Sequence, residues 1–143
     1  MAFTIPCAAF DLGTCVYLRL CGQSDRGLRR AANEDSFALH EEHGLGIVCD
    51  GMGGHKSGEV ASQLAVTLLA EHVTQWSATL HDQQLKLSQA RSQAKRLVHE
   101  WVTLVNTEIH SRGQAELPAD QEPSSKDRMG TTLALILLVS DFV

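Results

Sequence analysis

The sequence predicts an α+β domain whose sheet is only partly built within the chain. Three observations carry that expectation: short segments of strand composition, two long stretches with apolar residues every three or four positions, and a strongly apolar segment over residues 133–139. Residues 1–15 suggest no element and are assigned to an N-terminal extension, leaving 16–143 as the domain. Residues 16–21 alternate apolar and other side chains around Val16, Tyr17 and Leu18, which suits a half-buried strand. A polar stretch follows. Residues 36–40 and 45–49 read as two further strands, joined as a hairpin through Glu41, Glu42, His43 and Gly44.

From Gly58 the period changes to that of a helix, with Val60, Ala61, Leu64, Ala65, Leu68, Leu69, Val73 and Trp76 on one stripe and Ser57 placed to cap it. A second stripe through Leu87, Ala90, Ala94, Leu97, Val98, Trp101, Leu104, Val105 and Ile109 predicts another helix whose apolar face turns to the core. Residues 111–128 contain Gly113, Pro118 and Pro123 among many polar side chains, so a loop or flap is expected. Gly130, Thr131 and Thr132 then lead into a last strand over 133–139. Four strands and two helices, ending on a strand, describe an unfinished sheet.

Composition narrows the function classes. The 143 residues carry 12 Lys and Arg against 17 Asp and Glu, a net charge of −5 with a pI near 5.7 and 43% hydrophobic content. That is enough for one globular core, and the acidic balance opposes non-specific grip on nucleic acid or an anionic membrane. The longest apolar run falls well short of the roughly 18–20 residues that span a bilayer. The N-terminus lacks the basic segment of a signal peptide, and the four cysteines form no C-x-x-C pair. Reduced thiols and a cytoplasmic location are therefore expected.

The chemistry is expected where residues 50–59 leave the third strand. Asp50 ends an apolar run, and Gly51, Gly53, Gly54 and Gly58 follow within eight residues before a helix begins. Glycine lets a ligand approach main-chain groups closely, and four exceed the need of a single turn. A phosphate-binding P-loop aligned on Lys56 and Ser57 would need glycine at His55 and Asp50, and a dinucleotide fingerprint begun at Gly51 would need it at Lys56. Both fail. An acid at position 50 suits a hard cation such as Mg²⁺ or Mn²⁺. Upstream, residues 24–35 hold Arg26, Arg29 and Arg30 with Asp25, Asn33, Glu34 and Asp35. A hairpin would bring Glu34 and Asp35 to the sheet end where Asp50 sits, and like charges so placed repel unless a cation lies between them. An adjacent Arg can hold phosphate through a bidentate fork.

These residues carry a family resemblance. Ser24-Asp25-Arg26-Gly27 through Arg30, Asn33, Glu34, Asp35 and Ser36, then Asp50-Gly51-Met52-Gly53-Gly54-His55 with Gly58 and Glu59, then Gly130-Thr131-Thr132, resemble the first motifs of the metal-dependent protein phosphatases of PPM or phosphatase 2C type, in their bacterial branch. The resemblance implies a four-layer α-β-β-α sandwich and hydrolysis of phosphoserine and phosphothreonine by water activated on two Mn²⁺ or Mg²⁺ ions. It implies Arg30 as the phosphate-binding arginine, Asp50 as the bridging metal ligand, Gly51 as a carbonyl ligand, and Glu34 and Asp35 as acids holding metal-associated water. His55 is the nearest imidazole for a general acid, against a role in stabilising the loop. Phosphoprotein substrates and a cognate serine/threonine kinase are the implied partners.

The family has later motifs that complete both metal shells, and nothing in this sequence matches them. Asp141 fits no motif position. A truncated frame or a fragment is the expectation, with a second function held beside catalysis: a non-catalytic remnant that binds phosphoprotein or kinase through Arg30 and the 111–128 flap.

Overall fold

The computed structural model describes residues 10–11, 17–52, 56–83, 85–115 and 129–139. In chain order these form strands β1 (Phe10–Asp11), β2 (Tyr17–Leu18), β3 (Asp35–His40) and β4 (Leu45–Met52), helices α1 (Lys56–Gln83) and α2 (Leu87–Ala115), and strands β5 (Gly130–Thr131) and β6 (Ala134–Leu137). All pairings are antiparallel. β4 is central, with β3 on one side and β5 and β6 on the other, while β1 pairs only with β2.

The predicted hairpin forms as expected. A 3-10 turn over Glu41–His43 ends at Gly44, whose φ of 62° is the left-handed conformation that glycine adopts without a Cβ penalty. On β4 the burial alternates: Leu45, Ile47, Cys49 and Gly51 are buried, and Val48, Asp50 and Met52 are exposed. α1 packs on the buried face. Its own stripe of Ala61, Ala65, Leu69, Val73 and Trp76 meets Leu45, Ile47 and Cys49 in one core.

α2 follows a short connection and packs beside α1. His72 stacks on Trp101 with ring centroids 5.7 Å apart, Trp76 meets Trp101 edge-on, and Trp76 Nε1 donates to Gln93 Oε1 at 3.1 Å. The described elements therefore make a four-stranded sheet covered on one face by the helices, two layers of the expected four, with the β1–β2 pair separate from that sheet. On the other face Val48, Met52 and Ile136 are exposed.

Several element bounds differ from expectation. The first strand spans Tyr17–Leu18 rather than 16–21, and it pairs with residues of the supposed extension. Two residues past its end, the Leu20 N–H donates to Glu41 Oε1 at 2.7 Å. α1 begins at Lys56, so Ser57 lies inside the first turn and is not its cap. α2 runs to Ala115, past the predicted loop start at 111, carried by buried Ile109 and the Arg112–Glu108 pair one turn apart (2.8 Å). The rest of the flap, residues 116–128, lies outside the described residues, as do Gly53, Gly54, His55 and Asp141.

The last strand is split at Thr132 and Leu133, where the Asp50 N–H takes the Thr132 hydroxyl (3.0 Å) in place of a backbone carbonyl. Of the cysteines, Cys49 is a free buried thiol, whereas Cys21 is disulfide-bonded. That corrects the expectation of reduced thiols throughout, because a disulfide depends on the fold bringing two Cβ atoms together and not on sequence spacing. No helix among the described residues is long and apolar enough to cross a membrane.

Candidate functional site

The antiparallel register of β3 and β4 sets Asp35 opposite Asp50, so both carboxylates lie on the face turned away from α1. The hairpin brings Asp35 to Asp50 as expected, but it does not bring Glu34, which was expected beside them. Asp35 Oδ2 accepts from Ser24 Oγ at 3.2 Å, and Ser24 Oγ accepts in turn from Asn33 Nδ2 at 2.7 Å. Asn33 Oδ1 also takes the Asp35 N–H at 3.2 Å. The Asp50 carboxylate has no hydrogen-bond partner among the described residues, and its lone pairs stay available.

The backbone of Asp50 is held instead. Thr132 N–H and Thr131 Oγ1 both donate to Asp50 O, at 2.8 and 3.0 Å. With the Thr132 hydroxyl on the Asp50 N–H, the Gly-Thr-Thr segment satisfies both main-chain groups of the acid. Motif matching pointed to these threonines without saying what they do; the register of β4 against β5 supplies the reason. Beneath the site, burial pushes the Cys49 thiol from 9.0 up to about 11, and a hydrogen bond with Thr131 tempers the rise.

Glu34 lies elsewhere. It precedes β3 by one residue, and its Oε2 sits over Gly58 in the first turn of α1, where a Cβ would come within 2.7 Å of it. The Glu34 carbonyl accepts from the Gly51 N–H at 3.1 Å and from buried Ser62 Oγ at 2.6 Å. Gly51 is in turn pressed against the Gly58 carbonyl, where an added Cβ would collide. Two of the four glycines are thus explained by close backbone approach between β4 and α1. Ser62, which belongs to the matched motif but had no role read for it from sequence, is fully buried and bonded to Ser36 Oγ at 3.0 Å.

Arg30 is exposed and makes no hydrogen bond or ion pair among the described residues. No three His, Cys, Asp or Glu side chains among the described residues are grouped to hold a metal ion. The donors present fit a hard cation in kind, since an unpartnered Asp50 carboxylate faces a second carboxylate that a cation would relieve. They supply part of a coordination shell.

Fold and site together define an α+β protein with a carboxylate pair at one sheet end. The sequence profile described as Protein phosphatase 2C matches residues 24–143, and the chain belongs to that family. Among curated relatives, it is 31% identical over 124 residues to serine/threonine phosphatase stp of Listeria monocytogenes, covering 85% of this chain and 43% of that protein. Over 53 residues it is 55% identical to serine/threonine protein phosphatase PstP of Mycobacterium tuberculosis, covering 37% of this chain and 10% of PstP. The crystal structure of Mycobacterium tuberculosis PstP/Ppp superposes with a TM-score of 0.54 at 31% identity, over 97% of this chain and 44% of that one. The chain spans less than half the length of these relatives.

Proposed function

We propose that residues 16–143 form the N-terminal portion of a cytoplasmic phosphatase domain that hydrolyses phosphoserine and phosphothreonine in proteins, opposing a serine/threonine kinase. The observation that carries this reading is the cross-strand pairing of Asp35 with Asp50 beside an arginine-bearing loop. Asp50 and Asp35 would hold cations through carboxylate oxygens, and Gly51 through its carbonyl. Two Mn²⁺ or Mg²⁺ ions, when bound, supply Lewis acidity that lowers the pKa of water and offsets phosphate charge. Arg30 grips the phosphoryl oxygens through its planar fork, and Glu34 orients water from its place against α1. The Thr131 and Thr132 bonds fix the Asp50 main chain, so that its carboxylate does not shift as charge develops.

A second reading, phosphoprotein or kinase binding without turnover, rests on one observation: the Arg30 side chain is exposed and no described residue engages it. One experiment separates them. A phosphothreonine peptide is presented with Mn²⁺ to this chain, to a version extended through its downstream coding sequence, and to the Asp50→Ala form of each. Release of phosphate by the extended version, abolished by Asp50→Ala, supports catalysis. Binding without release in every form supports the second reading, and an inactive, non-binding set removes both.

A further inference from the structure

Building on the phosphopeptide site just proposed, we propose that Arg26, Leu28 and Arg29 form a selecting lip that favours phosphopeptides with acidic side chains flanking the phosphorylated residue. The loop that carries them is ordered by its own bonds. Gly27 N–H donates to Asp25 Oδ1 at 2.7 Å, and Arg26 Nη1 donates to Ala31 O at 3.3 Å. Ser24 and Asn33, at its two ends, are joined at 2.7 Å, and Ser24 binds the Asp35 carboxylate that stands opposite Asp50. The lip is therefore tied directly to the acid pair and does not swing free of it.

Its charge is left open to solvent. Asp25 is the single acid between Ser24 and Ala31, against three arginines, in a chain whose net charge is −5. The ion pairs of the described residues all lie elsewhere, on the His40–Glu42–His43 turn and along α2. Among the described residues the Arg29 and Arg30 side chains make no hydrogen bond, and Arg26 uses one nitrogen on Ala31 O. With Arg30 on the phosphoryl group, two guanidiniums remain for neighbouring carboxylates. Leu28 stands between them with a relative exposure of 107%, whereas Ile136, the next most exposed large apolar side chain among the described residues, reaches 62%. A leucine held in water between arginines offers apolar contact to a peptide whose charges the arginines take. So small a patch on an acidic protein lacks the broad basic stripe that nucleic acid requires.

The test is direct binding of fluorescent phosphothreonine peptides to this chain with Mn²⁺ present, one flanked by Asp and Glu and one by Ala, with an unphosphorylated acidic peptide and a short oligonucleotide as further arms. Exposed charge pairs of this kind predict a preference of about three- to tenfold for the acidic flanks, shrinking as salt is raised. R26Q/R29Q should erase that preference while leaving affinity for the Ala-flanked phosphopeptide unchanged, and Leu28→Ser should weaken both phosphopeptides alike. Equal binding of both phosphopeptides overturns the lip and leaves the phosphate site standing. Displacement by the oligonucleotide as effective as by peptide overturns it as a mere polyanion contact, and no binding of either phosphopeptide overturns the lip and the phosphate site together.

Discussion

Asp35 and Asp50 stand opposite one another across β3 and β4, two carboxylates on the open face of the sheet with no cationic side chain among the described residues bonded to either. Like charges in such a pair destabilise the metal-free strand pairing by roughly 0.2–1 kcal/mol. Asp50→Asn should therefore raise the melting temperature of the metal-free chain slightly. Addition of Mn²⁺ should raise it in the parent protein and leave Asp50→Asn unmoved, as thermal melts with and without the ion will read. A parent protein insensitive to Mn²⁺ would count against the metal site.

Gly58→Ala reverses the usual sign of a helical glycine replacement. In an open helix the change gains about 0.5–1 kcal/mol. Here the new Cβ would lie 2.7 Å from Glu34 Oε2 and 3.0 Å from the Gly51 carbonyl carbon. Crowding between the Glu34 carboxylate and the Gly51 backbone predicts a loss of about 1–3 kcal/mol instead, measured by urea denaturation.

Ser62→Ala removes the hydroxyl that donates to Glu34 O and accepts from Ser36. Because Glu34 O keeps the Gly51 N–H, the carbonyl is not orphaned, and the expected cost is about 1 kcal/mol, at the low end for a buried bond. Faster hydrogen exchange at Gly51, where Glu34 is loosened, is the accompanying local readout.

Cys49 couples stability to alkaline pH. Its folded pKa is raised from 9.0 to about 11 by burial, so the folded state holds its proton more tightly than the unfolded state does. The stability it contributes is complete below pH 9 and is lost as the pH rises from there towards 11. Urea midpoints across that window should fall more steeply in the parent protein than in Cys49→Ala. At pH 8 the native thiol should resist alkylation that proceeds readily in denaturant, as peptide mapping by mass spectrometry will show.

The elements that could be read in advance were those whose signal is periodic or local. The stripe through Ala61, Ala65, Leu69, Val73 and Trp76 fits only a helix buried on one side, and the Glu41–Gly44 connection fits only a tight return between strands. That return alone carries Asp35 to Asp50. Element ends were less legible, because side chains distant in sequence bear on them: the Glu41 carboxylate takes the Leu20 N–H just beyond β2, and the Thr132 hydroxyl takes the Asp50 N–H where the last strand is split.

By itself, then, the order of residues determined the two helices, the hairpin and the meeting of the two aspartates, since each follows from spacing within a short stretch of chain. Only the tertiary structure decided that Glu34 turns towards α1 while Asp35 turns to the open face, that Gly51 and Gly58 must both lack side chains, and that Ser62 and the two threonines clamp the backbone around Asp50. Those relations join positions up to 82 residues apart, and contacts of that kind exist only once the sheet and helix have packed.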